Sequence, residues 1–149
     1  MKLMQIRITN ELDEMDITLI HNFLTHSYWS DGIPKTILYK ALQHSICFAV
    51  LDHEKTIGFA RMVTDRATFG YLADVFVIEK FRGRGVSKLL MEAVVAHPQL
   101  QGLRRMMLAT SDAHGLYEQY GYEKISDSSM LMQDYKPGIY TKSRDRDHK

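Results

Sequence analysis

Apolar residues recur along the chain with two periods. Gln5-Ile6-Arg7-Ile8-Thr9 alternates polar and apolar, the pattern of a half-buried strand. Met15, Leu19, Ile20, Phe23 and Leu24 fall at helical spacing, and Asp13 stands where it can cap that helix, which ends near Ser27. Tyr28-Trp29-Ser30-Asp31-Gly32-Ile33-Pro34 has no period and predicts a loop, with Pro34 suited to the first position of a second helix running to about His44. Ile46–Leu51 and Thr56–Thr64 read as two strands of a hairpin around the turn Asp52-His53-Glu54-Lys55. Tyr71–Ile78 is apolar nearly throughout, which predicts a central strand covered on both faces. Leu89, Leu90, Ala93 and Val94 share one side of a helix from Val86 to about Ala96, stopped by His97-Pro98. A strand at Arg105–Ala109 follows. Asp112 then caps a short helix through Tyr120, with Gly121 at its C′ position. Two last strands are expected near Tyr122–Ile125 and Met130–Gln133. The order β-α-α-β-β-β-α-β-α-β-β predicts an α/β (α+β) domain with a mixed sheet flanked by helices, not a doubly wound parallel sheet.

The length, 149 residues, suits one domain, expected over residues 1–140, with a charged, frayed tail at 141–149. With 45% hydrophobic and 25% charged residues, and only 3 Pro and 9 Gly, collagen, low-complexity disorder and coiled coil are excluded. Nineteen Lys and Arg against 18 Asp and Glu leave a formal charge of +1, which points to neither nucleic acid nor an anionic membrane as partner. A local cluster is still enough to hold a small anion. The single cysteine, Cys47, excludes an internal disulfide and a cysteine-only metal site, and no metal site is expected. It sits in Ile46-Cys47-Phe48-Ala49-Val50 and reads as a buried, inert thiol. The start lacks the apolar core of a signal peptide, and no apolar run approaches the roughly 20 residues of a membrane span, so the expected location is cytoplasmic.

The strongest chemical feature is Arg82-Gly83-Arg84-Gly85, between the strand Tyr71–Ile78 and the helix from Val86. A glycine-rich loop opening a helix offers unpaired N–H donors beside the positive end of the helix dipole. Glycine lets a phosphate approach the backbone, and Arg82, Arg84 and Lys88 add cationic donors. A tight turn with a solvated basic face is the plainer alternative. No Gly-x4-Gly-Lys-Ser/Thr run is present, and only two glycines of a dinucleotide fingerprint can be placed. The loop resembles motif A of the GNAT superfamily, the acyl-CoA-dependent N-acyltransferases, whose signature is Arg or Gln, two residues, Gly, one residue, Gly or Ala. Arg82, Gly85 and Ser87 occupy those places, and Ser87 departs from the pattern while staying small. Asp74-Val75-Phe76-Val77 stands where the family's central strand precedes the loop. Ala113, Leu116, Tyr117, Gly121 and Tyr122 are similar to the family's Ala-x-x-Leu-Tyr…Gly-Phe segment, and Thr110 stands where many members have Asn.

The resemblance implies a mostly antiparallel GNAT sheet and acetyl-CoA as cosubstrate. Its pyrophosphate would lie on Arg82, Gly83, Arg84, Gly85, Val86, Ser87 and Lys88, and its pantetheine arm would pair with Phe76 and Val77. The Val77 amide would polarise the thioester carbonyl. Tyr117 matches the tyrosine that protonates the departing thiolate. Asp74 is the first candidate to take the amine proton; a structural carboxylate, or one that binds a cationic substrate, are the other roles open to it. Glu79 and His114 are lesser candidates. Acceptors in the family enter beside the loop that here holds Tyr28, Trp29 and Asp31. Two aromatics and an acid suit a partly apolar cationic amine, while Trp29 as a plug at the core edge is an equal alternative. Arg61, if it faces the cleft, would bind an acceptor carboxylate. The expected function is N-acetyl transfer to a primary amine of a small molecule or peptide in a ternary complex; a non-catalytic acyl-CoA-binding regulatory module is the alternative. A homodimer is expected by analogy alone.

Overall fold

A computed structural model describes residues 5–141 of the chain; of the tail expected at 141–149, all but its first residue lies outside them. Its elements are β1 (Ile6–Thr9), α1 (Ile17–Thr25), α2 (Lys35–Gln43), β2 (Ile46–Asp52), β3 (Lys55–Thr64), β4 (Phe69–Val77), α3 (Val86–Ala96), β5 (Arg105–Leu108) and α4 (His114–Glu118). They build one sheet of order β1-β2-β3-β4-β5. The first three pairings are antiparallel and β4–β5 is parallel, as the α3 crossover between them requires.

Strand alternation divides the core into two layers. On one face Phe48, Val50, Ile57, Met62 and Leu72 pack against Val86, Leu90, Met91 and Val94 of α3. On the other, Cys47, Ala49, Leu51, Phe59 and Phe76 meet Ile20 and Leu24 of α1 and Leu38 and Leu42 of α2. Consecutive residues of β2 therefore serve opposite layers, and all seven are buried. Cys47 is 2% exposed, and burial pushes its thiol up to about 12, as expected of an inert cysteine.

Three local expectations are corrected. Asp16, not Asp13, caps α1: its Oδ1 accepts the Leu19 N–H at 3.0 Å, while Asp13 lies in a preceding 3-10 turn. This start turns Ile20 and Leu24, one helical turn apart, into the core. Thr110, not Asp112, receives the Ala113 N–H before α4, at 3.0 Å. Only the second half of β4 is covered on both faces, since Phe69 and Tyr71 are 39% and 37% exposed. Helices of nine residues span about 14 Å, too short to cover strands about 30 Å long.

The two last expected strands do not form. Residues 122–125 and 130–133 are irregular, with Met130 90% and Met132 97% exposed. A run becomes a strand only against a ladder partner, and among the described residues neither segment pairs with the outer edge of β5 or with any other strand. The outer edge of β5 instead borders an open cavity of about 680 Å³, reached by Met107, Ala109, Tyr122 and Ile125.

Candidate functional site

The site begins where β4 outruns β5. Their pairing ends at Leu72 and Leu108, while β4 continues to Val77, leaving the edge of Ala73–Val77 on that side without a strand. On the other side Gly58 pairs with Val77, and Ile78 N–H donates to the Ile57 carbonyl at 2.9 Å. Backbone N–H groups alternate in direction along a strand, so the Val77 N–H faces the open edge. The Val77 carbonyl confirms that side, since it accepts from Arg82 Nε at 3.0 Å.

Beyond Val77 the chain makes a 3-10 turn anchored by buried Phe81 and enters Arg82–Gly85. Gly83 (φ 76°) and Gly85 (φ 81°) adopt the left-handed region. A Cβ on either would meet nothing within 4 Å, so the backbone surface above both is open. Gly85 ends the loop at the start of α3 without a side-chain cap. The first helical bond to it runs from Leu89 N–H at 3.1 Å, so the Val86, Ser87 and Lys88 amides head the helix unpaired. A cavity of about 240 Å³ lies here, against Val77, Phe81, Gly83, Gly85 and Leu116. Gly58 holds this start of α3 close to the sheet: a Cβ there would lie 2.7 Å from Val86 Cγ1. An isolated glycine in an apolar strand is the signal that marks it.

A second constellation lies on the α1–α2 side. The register of β3 against β4 slips between Phe59 and Arg61, and in that bulge Asp74 takes φ 57°. Its side chain is 5% exposed. Asp74 Oδ2 accepts from Arg61 Nε at 2.7 Å, and Oδ1 accepts from Trp29 Nε1 at 2.9 Å. Arg61 Nη1 donates onward to Ser45 Oγ at 3.2 Å, and that hydroxyl donates to the Ala41 carbonyl at 2.8 Å. Trp29 lies on a loop held internally: Gly32 N–H donates to Thr25 O at 2.8 Å, and Ser30 N–H to Ser27 Oγ at 3.1 Å. Tyr28 meets the Trp29 ring edge-on at 5.0 Å, and its hydroxyl lies 3.4 Å from Ser111 Oγ, beyond β5.

These two constellations meet at an open β4 edge that ends in a glycine-opened helix. A profile of the acetyltransferase (GNAT) family matches residues 13–122. The chain belongs to the GNAT acetyltransferase family. A crystal structure of a GNAT-family protein from Xanthomonas campestris pv. campestris superposes with a TM-score of 0.89 at 45% identity, covering 94% of this chain and 99% of that one. An aminoglycoside N-acetyltransferase, AAC(6')-Iy in complex with CoA, shares the fold with a TM-score of 0.59 at 23% identity, covering 89% and 93% of the two chains. Among curated relatives, N-alpha-acetyltransferase 80 of Mus musculus is 31% identical over 87 residues, 52% of this chain and 28% of that protein. A protein of Gibberella zeae carrying an acetyltransferase name is 31% identical over 111 residues, 60% of this chain and 62% of its own length. The chain thus spans less than two thirds of either relative.

Within this GNAT frame the residues singled out from sequence fall into three groups. Phe76, Val77 and the stretch 82–88 lie together along the open edge and the head of α3. Trp29 and Asp74 touch each other, with Tyr28 against Trp29; Asp31 is exposed on the same loop. Tyr117 lies on α4, 8% exposed, and its hydroxyl has no protein hydrogen bond among the described residues. Burial, then nearby Asp112, raises its pKa above the usual tyrosine value. Arg61 does not present a free fork to an acceptor, because Asp74 and Ser45 engage it. Among the described residues no cluster of three or more His, Cys, Asp or Glu could hold a metal, and no helix is long and apolar enough to cross a membrane.

Tyr122 stands where the family motif has phenylalanine. Its ring meets Tyr117 edge-on at 6.2 Å, and its hydroxyl is buried with no hydrogen-bond partner among the described residues. A buried hydroxyl left unpaired costs stability without return. Tyr122→Phe is expected to raise unfolding free energy by about 1 kcal/mol, read by urea denaturation; a loss of that size would show that the hydroxyl has a partner.

Proposed function

We propose that this chain transfers an acetyl group from acetyl-CoA to a primary amine of a small molecule or peptide, by direct attack within a ternary complex. The observation that carries the reading is the open β4 edge running into the Gly83–Gly85 loop, whose uncovered backbone a side chain would fill. The CoA complex of the aminoglycoside N-acetyltransferase of the same fold agrees with it. Bound acetyl-CoA supplies a thioester whose carbonyl is open to an amine.

In this reading the chain's own groups do four things. The Val86, Ser87 and Lys88 amides and the side chains of Arg82, Arg84 and Lys88 hold phosphate oxygens. The edge of Phe76 and Val77 aligns an extended arm as an added strand would be aligned. The Val77 N–H donates to the carbonyl oxygen as negative charge develops there, a contact stronger in the transition state than before it. The Tyr117 hydroxyl would give its proton to the sulfur as the carbon–sulfur bond breaks, and the proton lost by the attacking nitrogen would pass to solvent, from which the tyrosine regains its own. Tyr28, Trp29 and Asp31 form the acceptor side.

Two measurements test this. Incubation with acetyl-CoA and a panel of primary amines should yield free CoA and acetylated amine by mass spectrometry. Binding of acetyl-CoA with no transfer to any amine would make the chain a CoA-binding module instead. Gly85→Val should weaken acetyl-CoA binding at least tenfold by calorimetry, since a β-branched residue resists φ 81° and places carbon over the amides. Unchanged affinity would remove the loop from the phosphate site.

A further inference from the structure

We infer that the Arg61–Asp74 pair is a positioning device. It fixes the Trp29 indole by its only polar atom and leaves the acceptor wall π and apolar surface without a free cation. The inference rests on the transferase reading above and assigns Asp74 a positioning role in place of proton transfer.

Three observations carry it. First, Asp74 is committed at both oxygens, to Arg61 Nε at 2.7 Å and to the indole N–H at 2.9 Å. A carboxylate so held has its charge balanced by guanidinium, and both of its oxygens are oriented by Arg61 and Trp29 rather than toward an amine. Second, the pair is built into the sheet. Asp74 occupies the β4 bulge at φ 57°, a conformation Asp tolerates better than most residues, and the bulge aims its side chain at the loop rather than along the ladder. Arg61 is tied in turn through Ser45 to the Ala41 carbonyl near the end of α2. The loop residue is therefore referenced to β3, β4 and α2 at once. Third, the neighbouring polar groups are engaged. Indole nitrogen can only donate, and its one hydrogen goes to Asp74. The Tyr28 hydroxyl lies by Ser111. The wall thus offers two rings at right angles (83°) and the exposed acid Asp31, a set that attracts an ammonium on an apolar body. An acceptor carboxylate finds no unpaired guanidinium in Arg61.

Trp29 is the one tryptophan of the chain, so its emission reads this device directly. Acrylamide quenching of that emission should increase at least twofold in Asp74→Ala. It should stay near the wild-type value in Asp74→Asn, whose amide oxygen still accepts from the indole. Asp74→Ser, polar but too short to reach the ring, carries the same expectation as alanine should the latter not fold. Quenching unchanged in both Ala and Ser variants overturns the positioning role. As a ligand probe, 2-phenylethylammonium should perturb wild-type emission at concentrations at least fivefold lower than phenylalanine, which adds only a carboxylate. Equal or tighter binding of phenylalanine, or no response to either, overturns the acceptor wall. Acetyl-CoA calorimetry on the same samples separates the two readings. If acetyl-CoA does not bind while the quenching pattern holds, the transferase reading fails and the positioning geometry stands.

Discussion

Tyr117→Phe should lower kcat by about 10² to 10⁴-fold with acetyl-CoA affinity unchanged, the range for loss of one positioned proton donor. The substitution removes one oxygen from a residue that is 8% exposed and keeps the ring that packs against Tyr122 at 6.2 Å. The expected loss is therefore chemical and not structural. Turnover within twofold of wild type would take Tyr117 out of the reaction. The pH dependence follows from the same environment. Burial, then Asp112, raises the Tyr117 pKa, so the hydroxyl keeps its proton through neutral pH and the alkaline limb of kcat should lie above the ordinary tyrosine value, near 10. Tyr122 is raised too, by burial and then by Tyr117. Both favour the neutral form in the folded state. Their contribution to stability is complete below that ordinary value and is lost as pH rises through the folded values.

Asp74→Ala should cost about 3 kcal/mol of unfolding free energy by urea denaturation, the low end of what breaking a buried ion pair costs. The low end applies because the Arg61 side chain keeps 19% exposure and retains Ser45 as a partner. The loss has three sources. The guanidinium remains without its counter-charge, the indole N–H loses its acceptor, and alanine takes up the left-handed φ of 57° less readily than aspartate. A second substitution, Arg61→Met, should recover part of the loss by removing the stranded charge. A cost below 1 kcal/mol for Asp74→Ala would mean that the bulge does not depend on the pair. Against a typical total of about 5–15 kcal/mol, the expected loss leaves a folded but weakened domain.

The parts of the site that were legible in sequence are those made by neighbours in the chain. Arg82–Lys88 carries its own chemistry, because two glycines, a helix start and three cations within seven residues are one local unit. The same holds for the boundaries of α3, which begins at Val86 and stops before Pro98 as its pattern requires. Where two acids compete for one cap, local pattern does not choose. Asp13 and Asp16 are equivalent by residue type, and the core position of Ile20 and Leu24 decides for Asp16.

The chain by itself determined the element order through β5 and the glycine loop that opens α3. Each follows from hydrophobic period or from residues a few positions apart, where steric preference and hydrogen bonding act without distant partners. Tertiary structure decided the rest. Residues 130–133 are expected as a strand and are not one, because they pair with no sheet edge, and Met130 and Met132 stay exposed. Arg61, Asp74 and Trp29 became one unit only when the β3–β4 bulge and the α1–α2 loop met across 13 and 45 residues of chain. Charge pairing at such separations is set by where the backbone brings two side chains, and no local pattern of residues encodes that distance.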